Sequence, residues 1–447
     1  MESQLEADYD MDTDQYLRLF SVYNAASAGM PFLFGILGDK IGPSRAATLS
    51  ALINLIGSLM VALSTASKSY PLLFLGRLVF GISGEACTCL NDTVIGKWFR
   101  SSMMSTAYAV TLTVSRLASI VTMWVSPRIT DLQDGNTSDA LWLSALVSVC
   151  GLGGALGMLR VDGWGDAYKS LWRRGGGSAA MVSMDTDGDR DMVAEGVTGG
   201  EEGGTKEVTK KTATLRELLS LPIEIYACAL GISAYYGGSF PFIKIAAGLL
   251  TWKYGYDQTK ASTYASMILV VSMISAPFLG PMIDRLGHRP LIFMAAPVTS
   301  IVAYLLIGYA PASELLPPSV LLGVIGVGIS VCASTLWSCV PLVCEPDRLG
   351  TAIGITCCLQ NLSMMCVTLV LGWILGEDED NYPASCLCLM VCNGVALLAG
   401  AYIMSVDKRH LLGLLATPAA KTRARIDALM VHRRGMARGV VPPRLTV

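Results

Sequence analysis

One constraint recurs about eleven times along this chain: an apolar stretch long enough to cross a bilayer. A transmembrane helix needs about 20 predominantly apolar residues to span the hydrocarbon core. Such stretches fall at 17–38, 46–66, 71–93, 104–126, 140–160, 221–247, 261–283, 289–310, 317–342, 349–375 and 383–404. Lipid offers no hydrogen bonds to the backbone, so each stretch must satisfy its own as a helix. Composition agrees: 52% of the 447 residues are hydrophobic and 15% charged, against about 25% charged in soluble domains. The expected fold class is therefore an all-α polytopic membrane protein. A net charge of −2 gives no basic field for a nucleic-acid partner. The cysteines lie mostly inside apolar stretches, as at Cys357, Cys358 and Cys386, and read as small packing residues rather than a disulfide framework. The acidic, polar start is not a signal peptide.

A polar stretch at 161–218 divides the spans into five and six. The expected organisation is a first bundle over 1–160, a disordered linker over 161–218, a second bundle over 219–404 and a basic tail over 405–447. The linker is rich in glycine and acid. Its run Asp185–Asp191 carries Arg190 where a calcium-binding loop needs its sixth-position glycine, so no metal or other cofactor is expected. The basic residues after Met404, from Lys408 to Arg444, place the tail in the cytosol, while acidic segments at Glu2–Asp14 and Glu377–Asp380 face away. The same count puts the linker in the cytosol and the sequon Asn136-Thr137-Ser138 on the far side, where glycosylation is possible.

Two short turns look alike. The first holds Gly35, Asp39, Lys40, Gly42 and Arg45; the second holds Gly280, Asp284, Arg285, Gly287 and Arg289. Glycine, acid, base and glycine recur in one register. Glycine permits a tight turn, and the acid and bases suit a latch between helix ends aided by helix dipoles. A duplicated register points to two six-helix repeats around a midplane site. In the second half the motif follows the second span of six, but in the first half it follows the first recognisable span. The expectation is that one helix precedes residue 17 in the complete plan, giving a twelve-helix carrier with about eleven helices here.

Ionisable residues inside spans are costly and usually functional. Arg77, Glu85 and Asp92 fall on the stretch 71–93, and Arg116 on the next. Arg77 and Asp92 lie near span ends, where long side chains can reach water. Glu85 and Arg116 are equidistant from the turn at Arg100–Ser101, which puts both near mid-membrane. Two readings stand: a structural ion pair, or two anchors for opposite ends of a zwitterion. Tyr235, Tyr236, Phe240, Trp337, Gln360 and Asn361 are candidate walls of the same cavity. No histidine occurs within a span, so a histidine proton relay is not expected.

These residues carry a resemblance. The segments GRLVFGISGE (Gly76–Glu85), KWF (Lys97–Phe99), Ser115-Arg116, YYGGSFPFI (Tyr235–Ile243), ISAP (Ile274–Pro277), LGTAIG (Leu349–Gly354) and Gln360-Asn361 are similar to those of the lysosomal dipeptide transporter family, the domain-containing protein 1 branch of the major facilitator superfamily. The resemblance implies no enzyme but a solute carrier of the lysosomal membrane. It would export dipeptides by facilitated uniport, with Glu85 on the amino terminus and Arg116 on the carboxylate. It also implies a glycosylated lysosomal membrane protein as accessory partner, beside membrane lipids.

There are departures. Asn91-Asp92 stands where the family has glutamine-asparagine, and Lys244 directly follows FPFI. The family's amino-terminal dileucine sorting signal would lie upstream of this start. Sorting-like sequences occur instead at Asp407–Leu412 and Tyr168–Leu171. Alternative functions are a proton-coupled carrier of organic anions or sugars, and a non-transporting membrane receptor or scaffold.

Overall fold

Ten of the eleven apolar stretches each fold as a single helix. The computed structural model describes Tyr9 and residues 13–99, 103–132, 138–174, 221–311, 317–377 and 381–437. The first half contains α1 (Thr13–Ile41), α2 (Pro43–Ser67), α3 (Tyr70–Phe99), α4 (Met104–Leu132) and α5 (Ser138–Arg174). The second contains α6 (Ile223–Gly237), α7 (Phe240–Tyr254), α8 (Gln258–Leu286), α9 (Arg289–Tyr309), α10 (Pro318–Val343), α11 (Leu349–Glu377) and α12 (Tyr382–His410); α13 (Ala419–Ala437) follows. Among the described residues, nine helices are long and apolar enough to cross a membrane. The chain is a multi-pass membrane protein.

Two boundaries differ from the sequence reading. The stretch 221–247 is not one helix. It breaks at Gly238-Ser239 into α6 and α7, of 15 residues each. Gly237 and Gly238 permit the break because a Cβ on either would strike Ser363 or Asn393. The freed Gly238 carbonyl accepts from Tyr304 Oη at 2.8 Å and Asn393 Nδ2 at 3.3 Å, as lipid-embedded backbone requires. The second difference is α5, which continues through the polar residues after 160 as far as Arg174. Tyr168–Leu171 therefore lies within a helix. The disordered stretch expected beyond it, the calcium-like run, the acidic first residues, and Asn136 and Thr137 of the sequon lie outside the described residues.

Alternation of helices puts the two motif turns, the end of α5 and the chain after α12 up to Ala437 on one face, called here the tail face. The turns join the halves there by the same bonds. Asp39, at the end of α1, accepts from Gly350 N and Thr351 N at 2.7 Å and from Thr351 Oγ1 at 2.6 Å. Asp284, at the end of α8, accepts from Ser105 N at 3.1 Å, Thr106 N at 2.8 Å and Thr106 Oγ1 at 2.7 Å. Each carboxylate thus caps the first turn of a helix in the opposite half, where free N–H groups and the helix dipole favour an anion. The relation of α1 to α11 is that of α8 to α4.

The motif glycines divide into two roles. Gly42 (φ 97°) and Gly287 (φ 69°) take the left-handed backbone of the turns. Gly35 and Gly280 lie inside helices and let the halves touch: a Cβ on Gly35 would strike the Gly350 carbonyl oxygen, and one on Gly280 would lie 2.6 Å from Ala109 Cβ. Of the motif's bases, Arg289 enters the latch through an ion pair of 3.2 Å with Asp284, 1% exposed. Arg45 and Arg285 are exposed instead, and Lys40 is half-buried. Sequence alone suggested that bases close the latch on acids; backbone N–H groups do most of that work.

The expected basic tail is in part folded core. Leu411, Leu414, Leu415 and Leu429 are buried in the main hydrophobic cluster. The sequence Asp407–Leu412 is thus built into the fold. Buried Leu411 and a hydrogen-bonded Asp407 leave it unlike an accessible sorting signal. The remaining basic residues from Arg438 lie outside the described residues.

Overpacking a core costs about 1–3 kcal/mol. Gly35→Val and Gly280→Val are therefore expected to lower the melting temperature in detergent. Gly42→Ala, which strains one turn but meets no neighbour, is expected to lower it less. Equal effects from all three would sink the close-approach assignment.

Candidate functional site

The interior charges separate into two groups, and the charged pair suggested by the sequence does not form. No ion pair joins Glu85 and Arg116, although both are described and both are half-buried. Glu85 projects from α3 against the amide of Asn361 on α11. Tyr23 of α1 lies close by, its ring 5.9 Å from Phe80 and its hydroxyl facing Gly84. Arg77 of α3 lies within electrostatic reach of the same tyrosine.

Arg116 projects from α4 toward the other half. Its Cζ sits 4.9 Å from the centroid of Phe240, a cation–π distance. Phe240 stacks on Tyr236 with centroids 5.0 Å apart and planes 6° from parallel. The break between α6 and α7 makes this stack possible, because it brings the last turn of one helix beside the first residue of the next. Trp337 of α10 lies beside Tyr236 and 6.5 Å from the ring of Tyr108 on α4. Arg116, Phe240, Tyr236 and Trp337 thus form one wall contributed by both halves.

Tyr235 is not part of that wall. It is fully buried within the second half, its hydroxyl 3.3 Å from Ser300 Oγ and its ring edge-on to Phe293 at 6.1 Å. Adjacent positions on a helix point about 100° apart, so the sequence could not place both tyrosines on one surface.

Two further residues belong near the site. Tyr108 is buried, and its hydroxyl donates to the Asp92 carbonyl oxygen at 3.1 Å. Asp92 does not reach water as expected: it is 8% exposed, and Glu85 is a charge that acts on it. It lies seven residues beyond Glu85 on α3, about 10 Å toward the tail face at 1.5 Å per residue. A carboxylate is too short to climb past two turns of packed helix. Nothing in composition marked Tyr23 or Tyr108; only the helix pairing reveals them.

The buried polar atoms without a hydrogen-bond partner include Arg116 Nε and Gln360 Oε1, while the Asn361 amide meets Glu85. An unsatisfied buried polar group costs about 1–3 kcal/mol. The arrangement offers a carboxylate for an ammonium, a guanidinium for an anion, amides for a peptide group and aromatic faces for side chains. No metal-ligating cluster occurs among the described residues. A separate cavity of about 680 Å³ opens on the tail face, lined by Asp39, Arg45, Lys97, Asp162 and Asp347 among others. It borders the latch rather than the Glu85–Arg116 region.

Comparison with known proteins agrees with this architecture. The chain is 25% identical over 430 residues to the lysosomal dipeptide transporter MFSD1 of Danio rerio, covering 95% of this chain and 85% of that one. It is 24% identical to the Homo sapiens MFSD1, covering 91% and 81%. Among solved structures it resembles the proton:xylose symporter XylE bound to 6-bromo-6-deoxy-D-glucose, with a TM-score of 0.68 at 11% identity, covering 90% of each chain. It also resembles the human organic anion transporter MFSD10, with a TM-score of 0.59 at 16% identity, covering 90% of this chain and 88% of that one. The family model for the Major Facilitator Superfamily matches residues 2–368, and the chain belongs to this superfamily of membrane transporters.

Proposed function

We propose that this transporter carries dipeptides out of the lysosome lumen by facilitated uniport, with the two halves rocking around the Glu85–Arg116 level. One observation carries the reading: the acid and the base face the interior from adjacent helices without pairing. A zwitterion satisfies both. Its ammonium meets Glu85, and its carboxylate meets the planar fork of Arg116. Gln360 and Asn361 supply amides for the peptide bond, and Tyr236, Phe240 and Trp337 contact side chains loosely. Two anchors at fixed separation accept many side chains and reject longer peptides. The MFSD1 relatives are named as lysosomal dipeptide transporters, which supports the cargo and the compartment.

The tail face is cytosolic in this reading, because its tail and turns are rich in lysine and arginine. With both latches made, that face is shut and the site awaits cargo from the lumen. The partners are dipeptides, lipids and a glycosylated lysosomal membrane protein. A second reading, a proton-coupled carrier, draws support from Asp92. It is a buried carboxylate on the helix that also carries Glu85.

Uptake into proteoliposomes tests the cargo. A dipeptide is expected to be carried, and the same dipeptide with an acetylated amino terminus is not; equal uptake of both overturns the zwitterion assignment. Glu85→Gln and Arg116→Gln are each expected to cut uptake at least tenfold, since each removes a charge-assisted contact worth about 1.5–3 kcal/mol. Thermal-shift profiles showing that the variants still fold complete that experiment.

Phe240→Leu keeps the apolar volume and removes the ring under Arg116. A weakening of dipeptide affinity by about threefold to tenfold is expected, in line with about 0.5–2 kcal/mol for a cation–π contact. Phe240→Tyr is expected to bind as wild type. If leucine matches phenylalanine in affinity, the ring contributes packing alone.

A further inference from the structure

The two motif turns are alike in sequence and in their latches, but the rest of the chain treats them differently. The first is tied to α5 through a side chain, where Ser44 Oγ donates to Asp162 at 2.8 Å. The second lies under a strap of main chain that follows α12. His288 N donates to Ala416 O at 3.0 Å and Arg289 N to Leu415 O at 3.3 Å. Arg289 Nη1 donates to Thr417 O at 3.2 Å. Gly287 is pressed so closely that a Cβ there would strike the Ala416 carbonyl and lie 2.7 Å from Pro418 N.

The strap is itself anchored. Asp407, 2% exposed at the end of α12, accepts from Leu415 N at 2.9 Å and Ala416 N at 3.1 Å. Leu411, Leu414 and Leu415 are buried beneath it. The chain passes through left-handed backbone at Leu412 (φ 52°) and Gly413 (φ 74°). Leucine is poorly suited to that region, so the turn persists because its surroundings impose it.

Arg289 connects strap to gate. The guanidinium that holds Thr417 O also pairs with Asp284 and donates from Nε to Ser105 Oγ at 3.3 Å. Asp284 and Ser105 belong to opposite halves and form the latch itself. We propose that Asp407 is a positioning residue of the transport cycle. By fixing the strap Leu411–Thr417 against the second motif turn, it holds Arg289 in the latch and sets how readily the tail face opens. The inference rests on the alternating-access reading but not on the identity of the cargo.

Maleimide labelling of the purified full chain, scored peptide by peptide in a mass spectrometer, tests it. Cys344 closes α10 on the tail face and is 1% exposed, whereas Cys386 lies near the opposite face and is 0% exposed. Asp407→Asn removes one anionic acceptor and is expected to speed labelling of Cys344 about fivefold, leaving Cys386 unchanged. Asp407→Glu is expected to restore part of the protection. A chain ended after Ala437 keeps the strap and is expected to label as wild type. Unchanged Cys344 labelling in Asp407→Asn overturns the proposal. So does a parallel rise at Cys386, which marks loss of fold, or a rise in the chain ended after Ala437, which assigns the effect to the distal tail. Absence of dipeptide transport leaves these outcomes untouched and bears only on the cargo.

Discussion

The architecture depends on a carboxylate meeting the amino end of a helix across the boundary between halves. Asp39 does this to α11 and Asp284 to α4. The physics suits a surface that must close and reopen. An isolated charge at a lipid-flanked seam is costly, but two backbone N–H groups and a threonine hydroxyl satisfy it fully. Those donors belong to a helix terminus that lacks intrahelical partners in any case. Neither side leaves a stranded group when the seam closes. Gly35 and Gly280 then become necessary, because the caps reach only if the helices nearly touch.

The same economy governs the interior. The break between α6 and α7 exposes backbone in a place where water is scarce. Tyr304 and Asn393 answer for the Gly238 carbonyl. What the break gains is the Tyr236–Phe240 stack on which Arg116 rests. Arginine's flat, weakly hydrated cation tolerates an aromatic face better than lysine's ammonium would. Held there, the guanidinium keeps its edge available and does not collapse onto Glu85. A structural ion pair between the two would have neutralised both charges, and none forms.

Much of this was legible in the sequence because lipid leaves few choices. Eleven apolar stretches dictated helices, and the repeated turn dictated two related halves. Legibility failed where the answer lay in a third dimension. Gly237-Gly238 read as part of one span, since two glycines do not interrupt hydropathy even when packing against Asn393 requires a break. Tyr235 and Tyr236 looked equivalent, yet one faces Phe293 and the other Phe240. Asp92 looked able to reach water, because span position says nothing about which face of α3 packs inward. The tail read as polar from its arginines, while Leu411, Leu414 and Leu415, too few to form a span, buried themselves beside the second motif turn.

The strength of the latch sets a bound on how this transporter works. Six hydrogen bonds to two carboxylates are worth about 1.5–3 kcal/mol each when lost to nothing, a sum that would freeze the halves together. The gate is not dry on both sides of its cycle, however. On opening, water enters the tail face and replaces each lost donor, so only the net difference remains, of order a few kcal/mol. That is the range in which neighbouring contacts decide the balance between states. In the proposed cycle the strap anchored by Asp407 is such a contact, and so would be a zwitterion bridging Glu85 to Arg116. The first adds to one closed face; the second would tie α3 to α4, whose Glu85 and Arg116 already meet Asn361 of α11 and Phe240 of α7 in the other half. Cargo and strap then act on one equilibrium from opposite ends, and neither needs to break the latch outright to shift it.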